Sequence, residues 1–209
     1  MYISDKLSHH ICDKLLEQEI IQANTYPYYQ YSFDYVLDLI LFHCSLLIIG
    51  FFLHAPFLSL LYILTLSPLK MFSGGAHADT RISCSVISYT IFLTGILITK
   101  YHLFSLYPNF SIFIFVTISF TIFLLSPVEC ENKKISPNQK RTYKKRCGSI
   151  LCVQIFSFLY FIKKNHTDCF SLMTFCVIII LINQIIGMII NSTHRKGEKN
   201  ASFKHRYLR

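Results

Sequence analysis

The segment Lys70-Met71-Phe72-Ser73-Gly74-Gly75-Ala76-His77-Ala78-Asp79-Thr80-Arg81-Ile82-Ser83-Cys84 holds the residues whose types and spacing could do chemistry. A thiol is a nucleophile only as its thiolate, and a neighbouring imidazole is a common way to produce one. Cys84 follows His77 by seven residues. On one straight helix that spacing shares a face but leaves about 10.5 Å of rise between the two groups. A direct thiol–imidazole hydrogen bond needs heavy atoms within about 3.5 Å. Pairing therefore requires His77 in a non-helical turn that folds back over the helix carrying Cys84. Two adjacent glycines, Gly74 and Gly75, break helical structure and reach backbone angles closed to other residues, which makes such a turn accessible. A helix beginning near Asp79 or Thr80, both natural N-cap residues, would put Cys84 one turn in, where the positive end of the helix dipole favours a thiolate. Taken singly, a cysteine near a helix start and a histidine in a loop are ordinary structural residues, and spacing alone leaves both readings open. One His and one Cys cannot complete a tetrahedral zinc site. With no HExxH, paired CxxC or phosphate-cradling glycine motif in the chain, no metal and no cofactor are expected.

The elements that must position this segment are membrane helices. Of 209 residues, 53% are apolar, and they gather into runs almost free of charge: 36–53, 82–99, 110–127, 148–162 and 170–190. A spanning helix needs about 20 residues, with a range of about 17 to 25. The fold class expected is all-α, a polytopic membrane helical bundle of about six transmembrane segments with an N-terminal amphipathic helix. The sixth segment, 56–69, covers only about 21 Å at 1.5 Å per residue against a hydrocarbon core of about 30 Å. It reads either as a short span or as a re-entrant segment ending at Pro68. The spans 82–99 and 110–127 form a hairpin, so the loop 70–84 that holds the candidate His77 and Cys84 and the basic loop 128–147 fall on one side. With six spans and a cytoplasmic N-terminus, seventeen of the twenty Lys and Arg residues lie inside, and only Lys100, Lys163 and Lys164 lie outside. Basic flanks mark the cytoplasmic side. The formal charge of +9 is thus accounted for by membrane topology and contact with anionic lipid, and no nucleic-acid partner is expected.

Residues 1–35 contain no apolar core followed by a small-residue cleavage site, so the first span is expected to serve as the membrane-entry signal. Within them, Leu7, Ile11, Leu15, Leu16 and Ile20 fall on one face of a helix over 5–23. That face suits the membrane surface, a partner, or the protein's own bundle. The tyrosine-rich stretch from Tyr26 to Tyr35, with Pro27 as a helix breaker, reads as an interfacial linker. A membrane domain over 36–190 and a basic cytoplasmic tail over 191–209 complete the division. Cys44, Cys152 and Cys176 read as small buried hydrophobes, and Cys12, Cys130 and Cys147 as thiols in a reducing compartment. Gln154, Asn183 and Gln184 interrupt apolar runs, where interhelical hydrogen bonding is the usual reason.

The element Gly74-Gly75-Ala76-His77-Ala78 with Cys84 resembles the signature of the accessory gene regulator protein B (AgrB) family. Ser126-Pro127-Val128-Glu129-Cys130-Glu131-Asn132-Lys133, ahead of a basic run, is similar to that family's loop after its fourth span. The likeness covers nearly the whole chain. Met71-Phe72 departs from it, since an aromatic pair preceded by Arg or Lys is commoner there. The resemblance implies a membrane cysteine endopeptidase that removes the C-terminal tail of an AgrD-like propeptide and promotes its cyclisation to a thiolactone or lactone quorum-sensing pheromone. It implies Cys84 as nucleophile and His77 as base, with Gly74, Gly75, Arg81 and Lys133 as substrate-positioning residues. The expected surroundings are a bilayer at the cell membrane, with the loop facing the cytoplasm, and the layout allows a homodimer. The competing class is a non-enzymatic export or transport component, in which His77 and Cys84 are incidental.

Overall fold

In the computed structural model, residues 3–76, 80–101, 108–129 and 136–207 are described, and seven helices account for nearly all of them. They are α1 (Ile3–Glu17), α2 (Tyr26–Phe52), α3 (Pro56–Ser73), α4 (Arg81–Lys100), α5 (Pro108–Leu125), α6 (Pro137–Lys163) and α7 (Thr167–Tyr207). Among the described residues five helices are long and apolar enough to cross a membrane: α2, α3, α4, α6 and the part of α7 from Thr167 to Thr193. The sixth apolar helix, α5, is shorter, with its candidate stretch at Phe110–Leu125. The all-α polytopic bundle expected from the hydropathy pattern is the fold observed.

The chain divides into two compact units, residues 1–54 and 55–209. In the first, α1 packs on α2 through a small polar cluster. Tyr26 donates to Asp13 Oδ1 at 2.7 Å, while His9 lies 3.2 Å from the Tyr26 hydroxyl and 2.8 Å from Gln30 Nε2. Cys12 is fully buried there. The tyrosine stretch is not a linker. Pro27 sits in the first turn of α2, where its missing N–H costs nothing and its fixed φ favours the helix, so the aromatic residues form the opening turns of the first candidate span.

The second unit is organised around α7, which touches α3, α4, α5 and α6. Its stretch from Cys169 to Val177 is buried throughout. Phe115 stacks on Phe158 at 4.0 Å between ring centroids, and Phe158 meets Phe170 edge-on. Around these rings pack Leu69, Ile122, Leu151, Met173, Val177 and Ile180. Helix α3 continues through Pro68 to Ser73. Its 18 residues span about 27 Å at 1.5 Å each, a length suited to crossing. Gln154 Nε2 donates to the Thr65 carbonyl at 2.8 Å, the interhelical role expected of it.

Two further sequence readings change. Most of the basic loop is helix: α6 begins at Pro137 under a capping box formed by Ser136 and Gln139, so Lys140 to Arg146 lie on its first turns. The segment after residue 190 likewise continues α7 to Tyr207.

The candidate catalytic loop and its clamp on α7

Helix α4 starts where the sequence favours it. Thr80 is extended (φ −125°, ψ 150°), and its hydroxyl oxygen accepts the Ser83 backbone N–H at 3.2 Å while donating to Ser83 Oγ at 2.8 Å. The cap expected at Asp79 or Thr80 is thus Thr80. Because Thr80 is extended, no continuous helix joins position 77 to position 84. Cys84 donates its backbone N–H to the Thr80 carbonyl at 3.1 Å, so it opens the α4 ladder, one turn from the positive helix end. It is a half-buried free thiol. Arg81 is exposed on the same first turn. His77, Asp79 and Lys133 lie outside the described residues.

On the other side of His77, the chain is held tightly. Gly74 (φ 72°) and Gly75 (φ 129°) occupy backbone regions that side chains rarely adopt. Gly74 bridges in parallel to Val128, whose N–H donates to the Ser73 carbonyl at 2.9 Å. A Cβ on Gly74 would sit 2.1 Å from the Val128 carbonyl oxygen. The ends of α3 and α5 therefore meet at one end of the bundle, as the hairpin argument requires.

Helix α7 completes the holding. Ala76 N–H donates to the Asn183 carbonyl at 3.1 Å, and Asn183 Nδ2 lies 3.5 Å from the Gly74 carbonyl. Gln184 Nε2 donates to the Ser73 carbonyl at 3.2 Å and to Ser126 Oγ at 2.9 Å. Ser126 Oγ also receives the Cys147 thiol at 3.4 Å and donates to the Ile122 carbonyl at 2.6 Å. One turn further along α7, Gly187 lies against the backbone of Gly75 and Ala76, and Asn191 Nδ2 donates to the Glu129 carbonyl. At the same end, Arg146 lies over the Phe72 ring at 5.4 Å, and Lys140 pairs with Glu129 at 3.4 Å.

Sequence reasoning placed Asn183 and Gln184 between helices but did not connect them to the loop. Nor did it single out Gly187 or Asn191, and it named Ser126 only as the start of the segment ahead of the basic run. The usable signal was the four-residue step Asn183, Gly187, Asn191, a small and polar line inside an apolar run. The backbone amides of Ala76 and Ser83 are both engaged, by the Asn183 carbonyl and the Thr80 hydroxyl. Cys44 and Cys152 are exposed on the protein surface and not buried hydrophobes, whereas Cys12, Cys147 and Cys176 are buried. Among the described residues, no three His, Cys, Asp or Glu side chains gather as metal ligands.

Fold and site define a class: a polytopic helical membrane protein with a glycine-bearing loop clamped at one end of its bundle beside a thiol at a helix start. The family described as accessory gene regulator B matches residues 4–190, and the chain belongs to that family. Two curated relatives from Clostridium perfringens, both bearing AgrB-like names, are similar to it. One, from strain SM101, is 28% identical over 163 residues, covering 75% of this chain and 72% of its own. The other, from strain 13, is 29% identical over 162 residues with the same coverage. No solved structure matches the chain. Membership supports, in general terms, a role in accessory-gene-regulator quorum sensing and a relation to an AgrD-type propeptide.

Proposed function

We propose that this protein is a membrane cysteine endopeptidase that cuts an AgrD-type propeptide, with Cys84 as nucleophile and His77 as general base. The observation that carries the reading is local. Ala76, the residue before His77, is bonded to α7, and Thr80 caps the helix that presents Cys84 in its first turn. The three residues 77–79 are thus strung between two anchored points. Thr80 and Cys84 differ by four residues, or about 6 Å of helix rise, so a turn leading back over α4 has a short distance to cover.

In the reaction, His77 takes the Cys84 proton as sulfur attacks the scissile carbonyl, and the tetrahedral intermediate then expels the C-terminal tail as its amine. Imidazolium supplies the proton the amine needs. The acyl group remains on Cys84 as a thioester, and a Cys or Ser within the propeptide attacks it, closing a thiolactone or lactone ring and releasing the thiol. A site shielded from water at the membrane surface favours ring closure over hydrolysis. A loop facing the cytoplasm is supported by the basic first turns of α6, which reach Phe72 and Glu129 at the same end of the bundle, and a cell-membrane location by the family's role in quorum sensing. Gly74 and Gly75 shape the loop, Arg81 stands at its exit, and Lys133 belongs to the segment between α5 and α6 that would meet the propeptide.

The test is cleavage of the cognate propeptide by protein in membrane vesicles. Cys84→Ala and His77→Ala are each expected to abolish cleavage while expression and insertion persist. Normal processing by either variant refutes the assigned roles.

A further inference from the structure

We propose that Gln184 is a positioning residue for the catalytic loop, setting the His77–Cys84 encounter through Ser73 and Ser126; the inference rests on the protease reading above. Gln184 is completely buried in α7, far along the sequence from both partners. Its two amide hydrogens are both used, one by the Ser73 carbonyl at the end of α3 and one by Ser126 Oγ at the end of α5. The acceptors are equally committed. The Ser73 carbonyl takes the Val128 N–H as well, and Ser126 Oγ takes the Cys147 thiol while donating to Ile122. One carboxamide therefore ties together three helices and the strand-like contact that precedes the glycine pair.

Packing alone does not account for this arrangement. A buried carboxamide is costly in an apolar surrounding, and Gln184 Oε1 has no hydrogen-bond partner among the described residues. A leucine or methionine would fill the same space without that cost. The bonds end on Ser73, the residue directly before Gly74, with the loop's next anchor, Ala76 N–H to Asn183, made by the neighbouring residue of α7. Residues 183 and 184 thus fix the loop at two places, three residues apart, just ahead of His77.

The experiment uses the full chain in membrane vesicles with its cognate propeptide, and compares wild type, Gln184→Met and Cys84→Ala. Gln184→Met keeps length and volume while removing both donors. Its kcat for cleavage is expected to fall about 10- to 100-fold, the scale for a reacting group misplaced by about 1 Å, with KM within about twofold. A second readout needs no propeptide: the pH dependence of Cys84 alkylation by iodoacetamide, followed by peptide mass spectrometry, should move to higher pH as the imidazole disengages. Wild-type kcat together with an unmoved alkylation profile overturns the inference. Ser126→Ala removes one of the two acceptors and provides the same two readouts should Gln184→Met not accumulate. Its kcat should also fall, and an unchanged kcat and profile there overturn the inference equally. The double variant should be no worse than Gln184→Met, because both act through one bond; losses that multiply would overturn the shared route. If Cys84→Ala still cleaves, the protease reading itself fails. If Cys84→Ala is inactive and Gln184→Met is fully active, only the positioning role fails.

Discussion

Gly187→Ala separates a steric account of α7 from one based on helix propensity. A methyl group at 187 would lie 2.7 Å from the Gly75 carbonyl carbon, 2.8 Å from the Ala76 nitrogen and 2.9 Å from the Gly75 Cα. All three are backbone atoms, which cannot swing aside as a side chain does. Ordinary contact begins at 3.4 Å, so the loop must retreat by 3.4 − 2.7, or about 0.7 Å, or α7 must shift by as much. The first outcome stretches the 3.1 Å bond from Ala76 to Asn183 and displaces the residue next in the chain, His77. Misplacement by about 1 Å can cost about 100-fold in rate, so kcat for propeptide cleavage should drop about 10- to 100-fold. Helix propensity argues the other way, since alanine is favoured over glycine by about 1 kcal/mol in a helix interior. The assay is initial cleavage rate in vesicles, alongside thermal unfolding in detergent. Gly148→Ala is the control: its methyl would meet the Phe123 ring edge at 2.9 Å, a side chain that can turn, and activity should stay close to wild type. A Gly187→Ala variant that cleaves the propeptide at the wild-type rate would refute the reasoning.

The remaining predictions concern thiols and a buried amide. Cys12 should resist a water-soluble alkylating reagent at neutral pH while Cys84 reacts, as quantified by peptide mass spectrometry. Cys12 is fully enclosed, and burial first, then the charge of Asp13, pushes its thiol up; a raised value means less thiolate at neutral pH, with labelling growing only as pH rises. Reaction of Cys12 as fast as Cys84 at pH 7 would contradict both the burial and the sign. Gln154→Leu should change stability by less than about 1 kcal/mol, because hydrogen bonds between membrane helices average about 0.6 kcal/mol. Its Oε1 is moreover buried without a partner among the described residues. Denaturant titration in detergent measures this, and a loss above about 2 kcal/mol would contradict it.

Span positions were legible in the sequence because a crossing helix must satisfy its backbone internally and show lipid an apolar surface. The runs at 82–99 and 148–162 fall inside α4 and α6, and the cap at Thr80 follows from its side-chain chemistry alone. Boundaries were harder. Pro27 and Pro68 read as breakers, yet one occupies a first turn and the other lies within α3. Proline's effect depends on whether its missing N–H had a partner to lose, which composition does not state. The exposure of Cys44 and Cys152 was equally illegible, since in lipid an apolar residue gains nothing by facing inward.

That last point explains why the clamp went unread although its residues were noticed. Beyond residue 181, α7 is inverted relative to a soluble helix. Ile182, Ile185, Ile186, Ile189 and Ile190 are exposed toward the membrane, while Gln184 is buried and Asn183 and Asn191 are partly buried. In water, such a pattern would bury the isoleucines and leave the amides outside. In a bilayer, where polar groups in lipid are expensive, the amides turn inward and must find partners there. The partners available are acceptors where α3 and α5 end: the Ser73 carbonyl, which as a terminal carbonyl lacks an intrahelical donor, and beyond α5 the Ser126 hydroxyl and the Glu129 carbonyl. Two helix ends with unmet acceptors and one helix with unmet donors therefore assemble at one place, and only glycine at 74, 75 and 187 lets the backbones come close enough to bond. The backbone at Ser73, directly before the glycine pair, is held by the solution of a desolvation problem in which Gln184 Nε2 and Ser126 Oγ are both fully used.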